Sequence, residues 1–223
     1  MSSVDLKKHK PFGPYERFIK RPLDFFLSLF ALIVLSPIFI ILTIVGAIAM
    51  KGNPFFVQPR PGKIGKDGKE KIFNLIKFRT MTNERDKDGN LLPDEKRLNG
   101  YGTILRKTSL DELPQLLNIL TGSCALIGPR PLLVRYLDRY SPEQRRRHEV
   151  RPGLTGYAQS HGRNNLSWQE KFKLDVYYVD NLTFMMDVKV FFKTISVVLT
   201  RSGISSQTSS TMEEFMGNDL NEQ

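Results

Sequence analysis

A chain of 223 residues with 40% hydrophobic content has room for one domain with a real core, or for a smaller domain plus a membrane element, and excludes two large domains. Its 33 lysines and arginines against 23 acids leave a formal net charge of +10 spread along the whole length, which points to an anionic partner: nucleic acid, anionic lipid or a phosphorylated small substrate. One cysteine, Cys124, excludes an internal disulfide and fits a reducing compartment, and three scattered histidines give no zinc-binding spacing.

The first element is a stretch from Leu23 to Met50, LDFFLSLFALIVLSPIFIILTIVGAIAM, apolar on every face with Asp24 its only charge. As one helix it measures about 42 Å, against roughly 30 Å for a hydrocarbon core. It is too long for a secretory signal, and no small-residue cleavage pattern follows it. Ser36-Pro37 stands at its middle, where a proline removes a backbone donor and predicts a kink. Basic residues flank both ends evenly, Lys7, Lys8, Lys10, Arg17, Lys20 and Arg21 before it and Lys51, Arg60, Lys63, Lys66, Lys69 and Lys71 after it. A spanning helix carries its positive charge mainly on one side. The symmetry predicts a helix that enters one leaflet, bends at Ser36-Pro37 and returns; a spanning helix with a tolerated proline is the alternative.

Short β-like runs near Phe55 to Gln58 and Lys71 to Arg79 predict a hairpin, its Gly62, Gly65 and Gly68 loop a solvated turn without the spacing of a phosphate cradle. Residues 83 to 100 read as an exposed loop. A helix is expected from about Asp111 to Leu120 and another near Ser141 to Val150, and RPGLTGYAQSHGRNN reads as a structured loop. Ser167 and Glu170 form a capping-box pattern that opens a helix to about Asp180. A last helix runs from Phe184 to about Arg201, and a loose polar tail follows Ser202. The expected architecture is therefore α+β and mostly helical, with a basic segment and membrane helix over 1–51, a catalytic domain over 52–201 and a tail over 202–223.

Asp111 and Glu112 in TSLDELPQLLNIL are the acids of interest. Ser109 and Glu112 match a capping box, which makes the acids a helix start. Pro114 complicates that: with Ser109 as N-cap it clashes inside the helix, and with Asp111 as N-cap it sits in the first turn, so either the helix kinks or the acids stand at its mouth. Lys77, Arg79, Arg106, Lys107, Arg130, Arg151 and Arg163 are cations in constrained backbone, suited to phosphate oxygens. With two carboxylates they outline a site for a diphosphate and a divalent metal such as Mg²⁺.

KFRTM, TSLDELPQLLNIL, IGPRPLL, RPGLTGYAQ and GRNNLSWQEKFKLDVYYV, in that order behind an apolar helix broken by Ser-Pro, resemble the bacterial sugar transferase family, the small monotopic phosphoglycosyl transferases. The likeness runs from about residue 15 to 200. It implies transfer of a sugar 1-phosphate from a UDP-sugar to polyprenyl (undecaprenyl) phosphate, with release of UMP, as the first membrane step of glycan assembly. By that resemblance Asp111 is the nucleophile that forms an aspartyl phosphosugar, and Glu112 binds metal or orients phosphate. Mg²⁺ is the implied cofactor, bound at Asp111 and Glu112. Arg106, Arg130 and Arg163 are the implied phosphate and nucleotide contacts, with Lys77, Arg79 and Arg151 as further substrate cations. Ser36 and Pro37 match the break of a re-entrant helix, placing the chain monotopically in the inner membrane with its catalytic domain on the cytoplasmic face, among membrane lipids and without a nucleic-acid partner. The C-terminal third leans toward UDP-linked N-acetylated amino sugars. Two competing functions are a membrane-tethered basic binding protein with no activity and a metal-dependent glycosyltransferase that moves the sugar without its phosphate.

Overall fold

The computed structural model describes residues 13–162, 166–199 and 214–218. Arg163 and the basic residues Lys7, Lys8 and Lys10 lie outside them.

A single π-turn, Tyr15–Ile19, leads into α1, Lys20–Ala49. The helix carries Pro37 inside it, the position at which a kink is expected. There proline leaves the Ile33 carbonyl without its usual donor, and the Ser36 hydroxyl donates to that oxygen at 2.8 Å. The helix is apolar side out. Lys20, Asp24, Ser28 and Gly46 are its buried residues, whereas Phe26, Phe30, Ile33, Ile41 and Ile48 are exposed.

The antiparallel hairpin β1, Phe55–Ile64, and β2, Glu70–Phe78, is longer than the sequence predicts and pairs Phe55 with Phe78 and Val57 with Ile76. Its Gly/Lys turn is closed by Gly65 N–H to the Lys69 carbonyl at 2.8 Å, with Gly68 at φ +76°. The following loop carries α2, Asp94–Arg97, and ends at α3, Gly100–Thr108, whose N-cap Asn99 accepts from Gly102 N–H at 2.9 Å. Gly102 lies against the Thr80 carbonyl so closely that a Cβ there has no room. After a 3₁₀ turn, Leu110–Glu112, come α4, Gln115–Thr121, and β3, Ala125–Ile127. A 3₁₀ helix, Val134–Arg139, precedes α5, Pro142–Arg145, which gives way to a further 3₁₀ turn, so the helix expected near Ser141 to Val150 is shorter.

The glycine-rich stretch read as a loop holds two elements, β4, Gly153–Thr155, and α6, Tyr157–His161. β4 pairs in parallel with β3, Ala125 opposite Gly153 and Ile127 opposite Thr155. Three-residue strands joined across the chain carry no periodicity to read. α7, Trp168–Asp180, opens on the predicted Ser167/Glu170 capping box, and α8 is Phe184–Leu199. The tail is not loose where it is described: Phe215 is 1% exposed in a cluster with Tyr136 and Phe172. Two further clusters complete the core, one around Ile127, Tyr178, Val179 and Val190, the other around Leu75, Leu116, Ile119 and Cys124. Burial pushes the Cys124 thiol up to about 12, so it packs as a small apolar side chain.

The domain grips α1 along its length. Near the N-terminal end, Arg21 donates to the Ile119 and Leu120 carbonyls at 2.8 and 2.7 Å, and Asp24 Oδ1 accepts from Leu126 N–H at 3.2 Å. Lys20, Tyr15 and Tyr178 all bond the buried Asp187 carboxylate of α8. Near the C-terminal end, Tyr101 OH donates to the Leu42 carbonyl at 2.9 Å and Asn99 Nδ2 to the Ala49 carbonyl at 3.1 Å.

Candidate active site

α3 stops because Ser109 turns left-handed, at φ 58°, and its side chain makes no capping bond. The capping box that Ser109 and Glu112 spell is therefore not formed. Pro114 cannot sit inside a helix, so it heads α4, and Asp111 and Glu112 fall in the 3₁₀ turn between the two helices. The helix expected from Asp111 begins at Gln115; of the two arrangements Pro114 allowed, the acids stand at the mouth.

Freed from capping, Glu112 turns to cations. Its Oε1 accepts from Lys77 Nζ of β2 at 2.7 Å and from Arg130 Nη2 at 2.6 Å, while Lys77 Nζ stands 4.0 Å from Asp111 Oδ2. Arg130 is held between two prolines, and its carbonyl accepts from Arg147 Nη2 at 2.7 Å. Arg147 is in turn fixed on Asp175 Oδ2 at 2.7 Å, both buried.

These surroundings split the two acids. Burial raises Asp111 above the ordinary aspartate range, and the charge of Glu112 raises it further, against a smaller pull from Lys77, Arg130 and Arg106. Burial acts on Glu112 in the same direction but is outweighed by Arg130 and Lys77, which hold it down to about 2. Glu112 is thus a fixed anion clamped by two cations, and Asp111 is the more basic, less neutralised carboxylate.

Both acids face a cavity of about 1150 Å³. Ala31 and Leu35 of α1 and Phe191 and Ile195 of α8 form an apolar wall; Arg60, Lys77, Arg79, Arg106, Arg130 and Lys171 contribute to a cationic one. Of the residues singled out from the sequence, Lys77 and Arg130 touch Glu112, while Arg79 and Arg106 line the cavity, with Arg106 Nε on Thr80 Oγ1 at 3.0 Å. Arg151 is not among the lining residues. It stands 3.9 Å from Asp24 of α1, away from the two acids.

Arg60 and Lys171 were missed. Arg60, between Pro59 and Pro61, repeats the Pro-Arg-Pro context of Arg130, a signal that would have found it. It donates to the Pro131 carbonyl at 3.2 Å and to Gln58 Oε1 at 2.6 Å, and burial together with Arg130 lowers it to about 10. Lys171, lowered to about 8 by burial and then by Arg130, lies 5.2 Å from the Trp168 ring centre. Nothing local marks it in an ordinary helix.

The donor set fits Mg²⁺ of one particular kind. No group of three or more Asp, Glu, His or Cys side chains is placed to hold a metal among the described residues. Asp111 and Glu112 nevertheless offer hard oxygens at one point, and both cations on Glu112 use the same oxygen, Oε1. Two carboxylates completed by substrate phosphate oxygens are the usual mode for this ion.

Residues 15–201 match the bacterial sugar transferase family. The chain is 51% identical over 201 residues to a protein of Bacillus subtilis named uncharacterized sugar transferase EpsL, covering 89% of this chain and 96% of that one. It is 35% identical to an exopolysaccharide production protein, ExoY, of Sinorhizobium fredii, covering 82% and 87%. It is 36% identical to an undecaprenyl-phosphate galactose phosphotransferase of Salmonella typhimurium, where it covers 84% of this chain but only 42% of the relative.

Proposed function

The chain belongs to the bacterial sugar transferase family, and on that premise we propose that it transfers a sugar 1-phosphate from a UDP-sugar to a polyprenyl phosphate at a membrane surface, releasing UMP. The observation that carries this reading is the position of Asp111 and Glu112, on one turn between the cationic and apolar walls of a single cavity. One substrate is a soluble dianion and the other a lipid with its phosphate at headgroup level. A site walled in this way receives both, the diphosphate against the arginines and the first isoprene units along α1 and α8.

In this reading a carboxylate oxygen of Asp111 attacks the sugar-bearing phosphorus, the bond from that phosphorus to the bridging oxygen breaks, and UMP leaves with the bond's electrons. The polyprenyl phosphate oxygen then attacks the same phosphorus and expels Asp111, giving the polyprenyl diphosphate sugar. Asp111 suits the part because burial keeps it basic, and a highly activated phosphorus needs no stronger nucleophile. Glu112 holds Lys77 and Arg130 where charge accumulates on the departing phosphate. Mg²⁺, held by Asp111 and Glu112 with the donor's phosphate oxygens, would supply further neutralisation of the diphosphate. The test is the identity of the nucleotide product when a panel of UDP-sugars is offered with polyprenyl phosphate. UMP supports the reading, UDP would replace it with simple sugar transfer, and no nucleotide product would leave a binding protein.

The grip on α1 bears on topology. The same domain holds the helix at Arg21 and Asp24 and again at Leu42 and Ala49, about 40 Å along the axis. A helix that crossed a bilayer would carry one of those contact sets through the hydrocarbon to the other side. We therefore read α1 as entering and leaving one face, with its exposed apolar side in lipid and the domain on the cytoplasmic surface. In a Cys124→Ala background, cysteines at Arg17 and Lys66 should be labelled from the same side of sealed vesicles; labelling from opposite sides overturns the arrangement.

A further inference from the structure

We propose that residues 214–218 are a docked strap that positions Tyr136 and Trp168 in the wall of the cavity and thereby sets the affinity for the nucleotide sugar; the inference rests on the transferase reading above. None of these five residues lines the cavity, whereas Tyr136 and Trp168 both do. The strap reaches the site through the residues it touches, Tyr136 and Trp168 among them.

Its attachment is extensive for so short a segment. The Phe215 ring lies 5.7 Å from Tyr136, 5.6 Å from Trp168 and 5.0 Å from Phe172, centre to centre, and 5.9 Å from Tyr140 in a stacked arrangement. Phe215 N–H donates to the Tyr136 hydroxyl oxygen at 3.3 Å. Glu214 bridges two arginines of the 3₁₀ helix Val134–Arg139, accepting from Arg135 Nη2 at 2.8 Å and from Arg139 Nη1 at 2.9 Å, and Arg139 also donates to the Phe215 carbonyl. Both guanidinium groups lie over the Tyr136 ring, at 5.9 and 5.6 Å. Asn218 closes the strap, accepting from Gln144 Nε2 at 2.5 Å.

The rings it braces stand with the cationic wall. Lys171 lies over Trp168, and Tyr136 is close enough to Arg60 to act on its charge. That half of the cavity suits a donor carrying a diphosphate and flat rings, since aromatic faces accept nucleobase and sugar rings while the cations take the phosphates. The acceptor's apolar chain belongs with Ala31, Leu35, Phe191 and Ile195. A 3₁₀ helix has weak internal hydrogen bonding and keeps its shape through its neighbours, so Val134–Arg139 needs the strap more than α7 does. Phe215 is accordingly a positioning residue.

The chain's single tryptophan is Trp168, so its fluorescence reports the wall directly. In the full-length protein, Phe215→Ala should raise KM for the UDP-sugar about tenfold and shift Trp168 emission to the red, while KM for polyprenyl phosphate stays within about twofold. Phe215→Leu, which keeps most of the bulk, should recover the donor KM. Glu214→Ala, at an exposed position, should move the donor KM in the same direction by less and serves if Phe215→Ala fails to fold. Unchanged donor KM and unchanged emission would overturn the proposal, as would an equal loss toward both substrates explained by fewer active sites. Quenching of Trp168 by UDP separates the two readings: a wild-type protein that releases no UMP sinks the transferase reading, whereas UDP quenching that is the same in wild type and Phe215→Ala sinks the strap.

Discussion

Asp111→Asn should abolish UMP release, a fall of at least about 10⁴-fold in kcat, in a protein that remains folded. Both halves follow from the same carboxylate. Its side chain is 17% exposed, and the nearest cation, Lys77, stands 4.0 Å away and is committed to Glu112. Burial raises its pKa, so ionising Asp111 costs the folded state free energy once the pH passes the unfolded value, and the cost grows up to the folded value. A neutral isostere removes that cost. The melting temperature of Asp111→Asn should therefore match or exceed wild type at neutral pH, and a clear drop would show the carboxylate to be structural. Glu112 has the opposite linkage: held down to about 2, it stabilises the fold above the ordinary glutamate range, and that contribution disappears as the pH falls toward 2. The acid limb of the rate should accordingly report Asp111, lying above the normal aspartate range, while Glu112 stays ionised across it. A limb at or below the normal value would argue that Asp111 is not the group being deprotonated.

The second large effect is on stability. Asp187→Ala should cost about 3–5 kcal/mol, because it strands a buried ammonium and two hydroxyls. Lys20 Nζ lies 2.5 Å from Asp187 Oδ2, with side chains 6% and 7% exposed, and Tyr15 and Tyr178 donate to the same carboxylate at 2.6 and 2.7 Å. For a chain of this size that loss corresponds to roughly 10 °C in Tm. The double substitution Lys20→Met with Asp187→Leu should recover a large part of it, since an apolar pair carries no unpaired charge. Recovery identifies the single-variant loss as the penalty of a stranded charge. No recovery would mean that the network's hydrogen bonds to Tyr15 and Tyr178 hold α1 on α8 by themselves.

Features that depend on local pattern are readable from the residues alone. An unbroken run of apolar residues makes a long helix wherever it lies; alternation around a Gly/Lys turn makes the hairpin; Ser167 with Glu170 opens α7; and Asp111-Glu112 before Pro114 marks a turn that no helix interior tolerates. Arg130 was legible for a similar reason, since flanking prolines restrict backbone in a way that residue types announce. Pairings between distant segments come from the fold instead. Ser109 spells a capping box, yet Glu112 leaves it for Lys77 and Arg130, 35 and 18 residues away, whose charges outweigh one neutral capping bond. Arg151 carries no local sign of its neighbour, and pairing of β4 with β3, which packs on α1, leaves it 3.9 Å from Asp24. Ser36-Pro37 predicts a kink, and which partner the freed Ile33 carbonyl finds there, the Ser36 hydroxyl, is read only from the structure. Phe215 sits in a tail that reads as loose and is buried, since four aromatic rings from distant parts of the chain make a slot that no local pattern records. Local grammar sets each backbone preference to within about a kilocalorie, and contacts across the fold are strong enough to overrule it wherever a buried charge or ring needs a partner.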